Sequence, residues 1–80
     1  MRSVYVSLPT VDTVQKFVEQ ISPLEGNIDL LSDGYVLDAK SLMGIFRLDL
    51  SKPIKLTVEK DTEEAMRAIS CFRSDISPLQ

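Results

Sequence analysis

Asp33 and Gly34 stand between two runs of alternating residues, Ile28 to Leu31 and about Tyr35 to Ala39. Both tolerate the positive φ that the two central positions of a type I′ turn require, so the runs pair as a tight hairpin. Gly26-Asn27 opens the first run, in which Ile28 and Leu30 face one side and Asp29 and Leu31 the other. In the second, Tyr35, Leu37 and Ala39 share a face and Val36 and Asp38 take the opposite one. A hairpin needs further strands and a covering layer to be stable alone. Residues 1–27 and 40–80 must supply them.

They do so in alternation. Ser3 to Leu8 has the period of a strand, with Val4, Val6 and Leu8 on one face. After Pro9, the residues Val11, Val14, Phe17, Val18 and Ile21 fall at helical spacing; Thr10 or Asp12 can cap this helix, and Pro23 stops it at about Ser22. A short helix runs from its cap Ser41 through Leu42, Met43, Ile45 and Phe46, loosened by Gly44. Ser51-Lys52-Pro53 turns into a fourth strand, where Ile54, Leu56 and Val58 alternate with Lys55, Thr57 and Glu59. Asp61 and Glu64 resemble a capping box for a third helix, whose stripe is Ala65, Ala68, Ile69, Phe72 and Ile76 and which Pro78 ends.

The order β-α-β-β-α-β-α predicts an α+β open-faced sandwich of one domain, 1–80. Its four-stranded antiparallel sheet has the order 1-4-2-3, with three helices on one face. The open face should carry Tyr5, Ser7, Asp29, Leu31, Asp38, Lys55, Thr57 and Glu59, mostly polar.

Composition narrows the chemistry. The chain has no histidine and no tryptophan, and one cysteine, Cys71. Without histidine the usual general base, the Ser-His and Cys-His pairs and the commonest zinc ligand are missing. An enzyme is not expected, nor a metal site or cofactor. One cysteine forms no internal disulfide, which fits a reducing cytoplasm; in the third helix, near the stripe, Cys71 reads as a buried or partly buried inert thiol, and Met66 as core filler. Net charge is −3 with the signs interspersed. No basic stripe points to nucleic acid, and no apolar run approaches a membrane span. A monomer is expected, since Asp33 and Asp38 discourage strand pairing between copies.

The run Ile28-Asp29-Leu30-Leu31-Ser32-Asp33-Gly34-Tyr35-Val36-Leu37-Asp38-Ala39-Lys40-Ser41-Leu42-Met43-Gly44-Ile45 resembles the HPr family, the histidine-containing phosphocarriers of the bacterial sugar phosphotransferase system. Ala39-Lys40-Ser41-Leu42-Met43-Gly44 is similar to that family's regulatory serine motif, and Leu56-Thr57-Val58 before an acidic capped helix fits its last strand and helix. The likeness covers nearly the whole chain in length and element order. It fails at the phosphoryl-carrying segment, Gly-Leu-His-x-Arg-Pro in the family. Here an ungapped alignment back from Phe17-Val18 puts Thr10 at the place of the histidine, Asp12 at that of the arginine and Thr13 at that of the proline, in a shorter loop. The resemblance therefore implies a degenerate member that cannot carry phosphohistidine. A carrier using Thr10 or Asp12 is the weak alternative, because a phospho-accepting aspartate needs a metal held by further carboxylates and none adjoins it in sequence.

Ser41 is the foremost candidate that is left. In Gram-positive HPr proteins the matching serine is phosphorylated by a dedicated kinase, and the product binds a catabolite repressor; some members lacking the histidine work through the serine alone. The resemblance thus implies a regulatory, protein-binding module of carbon catabolite regulation switched at Ser41; an unmodified structural subunit is the alternative. Leu42-Met43-Gly44-Ile45-Phe46 carries no charge, and a short helix cannot bury all of it, so Met43 with Phe46 or Leu42 should be exposed beside Ser41. Lys40 and Arg47 flank that surface and can pair with an acidic partner or a phosphate. The partner-binding set is Lys40, Leu42, Met43, Phe46 and Arg47.

Overall fold

The computed structural model describes residues 1–74. Its elements follow the order read from the sequence: β1 (Arg2–Val6), α1 (Val11–Ile21), β2 (Ile28–Ser32), β3 (Tyr35–Asp38), α2 (Leu42–Ile45), β4 (Ile54–Val58) and α3 (Glu63–Ser70). The sheet is antiparallel throughout, in the order β1-β4-β2-β3. Asp33 and Gly34 have φ of 49° and 84°, as the turn chemistry requires, and Ser32 pairs with Tyr35 across them. No atom would meet a Cβ at Gly34. Gly34→Ala is therefore expected to lower unfolding free energy by roughly 1–2 kcal/mol through backbone strain alone, measured by urea denaturation.

One face of the sheet and the helices share a single core. Val4, Val6, Ile28, Leu30, Ile54, Leu56 and Val58 point into it from the strands, and Val14, Phe17, Ile21, Ile45, Ala65 and Ile69 from the helices. Among the described residues the core holds no polar side chain. The open face is ordered by register into two rows, Ser3-Thr57-Asp29-Asp38 and Tyr5-Lys55-Leu31-Val36. The Ser3 and Thr57 hydroxyls are 3.2 Å apart across the first row. Ser7 and Glu59 fall beyond the ends of their strands, and the Glu59 carboxylate instead accepts the Asn27 N–H at 3.0 Å.

The structure corrects several details. β1 stops at Val6, yet Leu8 is fully buried from the loop beyond it. Thr10, not Asp12, caps α1; Val11, in the expected stripe, is 58% exposed because it opens the first turn on the outer side. The cap of α3 is Thr62, whose Oγ1 accepts the Ala65 N–H at 3.1 Å, while Asp61 pairs with Arg2 at 3.6 Å. α3 ends at Ser70, and Ile76 and Pro78 lie outside the described residues. Phe72 then turns in against Phe17, ring edge to ring face with centroids 5.4 Å apart, which leaves Cys71 at the helix cap exposed rather than buried. Before β4, the Ser51 hydroxyl and N–H both donate to Asp49 and hold its carboxyl below the usual carboxylate pKa, with Lys52 adding to the effect. Among the described residues no helix is long and apolar enough to cross a membrane.

Candidate functional site

α2 is a single turn between the edge strand β3 and the loop to β4. Ser41 enters it in an extended conformation, its carbonyl accepts the Ile45 N–H at 3.1 Å, and its Oγ accepts the Gly44 N–H at 3.3 Å. This is the side-chain cap expected of a serine in that position. Gly44 matters for packing as much as for flexibility. A Cβ there would stand 3.1 Å from Ser41 Oγ and 3.6 Å from Leu37 Cδ1, so the missing side chain lets the hydroxyl and the strand approach.

So short a helix sorts its apolar residues sharply. Ile45 is fully buried and Leu42 is half-buried against the core, whereas Met43 is 74% and Phe46 38% exposed. The exposed pair is thus Met43 with Phe46. Ser41 and Arg47 are exposed at the two ends of the same turn. Arg47 has no ion pair among the described residues. Lys40 is placed differently from the others: half-buried, its ammonium donates to the Leu24 carbonyl at 2.6 Å and its N–H to Asp38 Oδ1 at 2.9 Å. Its charge is already engaged inside the chain.

A groove of about 420 Å³ that the sequence did not announce runs beside the α2 surface, lined by Tyr35, Val36, Leu37, Gly44, Arg47 and Leu48. The only sequence signal for it is that Tyr35 and Val36 are apolar on a strand placed last in the sheet.

At the start of α1, Thr10 is occupied as a cap: its Oγ1 accepts the Thr13 N–H at 3.1 Å and lies 2.8 Å from the Thr13 hydroxyl. Asp12 is exposed in the first turn, where its charge complements the helix dipole. Among the described residues no three His, Cys, Asp or Glu side chains gather where a metal ion could be held.

No protein-family model matches the chain, and no curated protein does. Among solved structures, it is similar to the crystal structure of HPr-C-His from Thermoanaerobacter tengcongensis, with a TM-score of 0.74 and 29% identity over 89% of this chain and 89% of that one. That likeness, with the 1-4-2-3 antiparallel sheet, three helices and an open face, gives this chain an HPr-like α+β fold.

Proposed function

We propose that this HPr-like chain is a protein-binding module of phosphotransferase-related regulation that carries no phosphohistidine and is switched by phosphorylation of Ser41. The observation that carries the reading is the juxtaposition at α2: an exposed serine caps a turn whose Met43 and Phe46 stand in solvent. A phosphate on Ser41 adds about −1.5 to −2 charges beside that apolar surface. Its oxygens can still accept from the Gly44 N–H, so the turn is kept and the readout is altered surface charge. Arg47 and the apolar pair then form one face toward a partner, with Leu42 supporting it from within. Lys40 contributes through its main-chain position, its ammonium being committed to Leu24. By the resemblance to HPr, the partners are a serine kinase and a catabolite repressor in a bacterial cytoplasm, and the chain is itself no enzyme.

The absence of histidine carries the negative half. Thr10 and Asp12 lack the imidazole that would accept and release a phosphoryl group near neutrality. Incubated with phosphoenolpyruvate and the general phosphotransferase enzyme, the protein is expected to gain no acid-labile phosphate, and label on Thr10 or Asp12 would overturn this. Incubated with the serine kinase and ATP, it is expected to gain one phosphate, mapped by mass spectrometry to Ser41. A chain left unmodified while a control HPr is labelled sinks the switch.

A further inference from the structure

The sheet has two edges, and the chain treats them differently. Beyond α3, Ser7 N–H donates to the Phe72 carbonyl at 2.8 Å and Ser74 N–H to the Tyr5 carbonyl at 2.7 Å, so residues 72–74 cover the edge at β1. At the other edge, among the described residues, β3 pairs with β2 alone. Across a two-residue turn the flanking residues form a hydrogen-bonded pair and the next pair does not. Counted from Ser32–Tyr35, the Val36 N–H and C=O and the Asp38 N–H point away from β2; the Asp38 carbonyl is taken by the Ser41 N–H at 3.0 Å. Proteins commonly blunt or cover such an edge. This one carries Tyr35 and Val36, 70% and 66% exposed.

Two further observations say what would cover it. On the helix side lies the groove lined by Tyr35, Val36, Leu37, Gly44 and Leu48, with Arg47 the one charged residue of its lining, so apolar side chains suit it. On the open face, Asp29 and Asp38 stand directly opposite each other with no ion pair among the described residues. Like charges in that arrangement destabilise a sheet. Lys40, two residues after Asp38 in the chain, has its ammonium on Leu24. Among the described residues, then, the edge lacks a strand, and Lys55, the open-face lysine on β4, forms no ion pair with Asp29 or Asp38.

We infer that β3 docks an extended segment of another protein, which adds a fifth strand and alternates apolar residues toward the groove with basic residues beside Asp29 and Asp38. A second copy of this chain does not fit. Antiparallel pairing of two β3 strands across Val36 would bring Asp38 beside Gly34 and Asp33 of a second copy, adding a carboxylate where two already repel. Docking at the edge does not require Ser41 to be modified, so either proposal can fail alone.

The test is a titration of the ¹⁵N-labelled protein with a synthetic hexapeptide of alternating valine and lysine, with a valine-glutamate peptide as control. Amide shifts are expected at Tyr35 to Asp38 and Gly44 to Leu48, with slowed exchange at Val36 and Asp38, for the lysine peptide only. Val36→Pro removes the outward N–H and leaves the β2 ladder intact, as edge strands tolerate. Asp38→Asn keeps the acceptor for the Lys40 N–H and removes the charge. Each is expected to weaken binding roughly five- to tenfold. The inference is overturned if the lysine peptide fails to bind, shifts residues elsewhere, or binds both variants as well as the parent chain. Self-association abolished by Val36→Pro would also overturn it, assigning the edge to a second copy.

Discussion

Phe17→Ala is expected to leave the chain close to unfolded at room temperature. Phe17 is fully buried at the centre of α1 and takes the Phe72 ring edge to face at 5.4 Å. Deleting a buried phenyl group costs about 3–5 kcal/mol, the lost transfer free energy plus that of the cavity left behind. Native domains hold roughly 5–15 kcal/mol in all, and one of this size sits toward the low end. The substitution also removes the surface that turns Phe72 inward, so the 72–74 segment should lose its hold on β1 first. Urea denaturation with circular dichroism measures the total, and hydrogen exchange at the Ser7 and Ser74 amides reports the edge. A loss under about 1 kcal/mol would show that the α1–α3 layer repacks freely, contrary to the buried-residue pattern.

The second large effect is a contrast between neighbours on one turn. Ile45→Asp places a carboxylate where the side chain is fully buried among apolar groups, and the cost is expected to exceed about 4 kcal/mol. Met43→Asp, two residues earlier at 74% exposure, should change stability by no more than about 0.5 kcal/mol. Its effect belongs to the proposed binding: capture of the partner proposed for the Ser41-phosphorylated form should be lost with the melting temperature nearly unchanged. A large drop in melting temperature for Met43→Asp would instead place Met43 in the core and remove the apolar half of the proposed surface.

The elements that proved legible are those set by local rules. Positive φ at Asp33 and Gly34 fixes the hairpin, alternation in Ile54 to Val58 fixes the central strand, and Ser41 caps α2 as its residue type suggests. Where two neighbouring residues could each cap a helix, sequence spacing did not decide. Asp61-x-x-Glu64 looked like a capping box, yet Thr62 takes the role while Asp61 answers Arg2, a residue in β1 that local reading could not bring near. The end of α3 was misjudged for the same reason. Phe72 continues the stripe on a helical wheel, but Phe17 draws it inward after the helix has already stopped, and Cys71 is left outside. At the candidate site the exposed pair Met43 and Phe46 could be anticipated by counting how many side chains one turn can bury. Lys40 could not, because its acceptor is a main-chain carbonyl of Leu24. No residue type or spacing encodes that contact.

Lys40 also has a mechanical meaning. Its N–H closes on Asp38 at the end of β3, and its ammonium grips Leu24 in the turn that leaves α1. One residue thus works as a tie bar between the sheet layer and the helix layer. Through these two contacts the end of the edge strand and the exit of α1 are held to one residue.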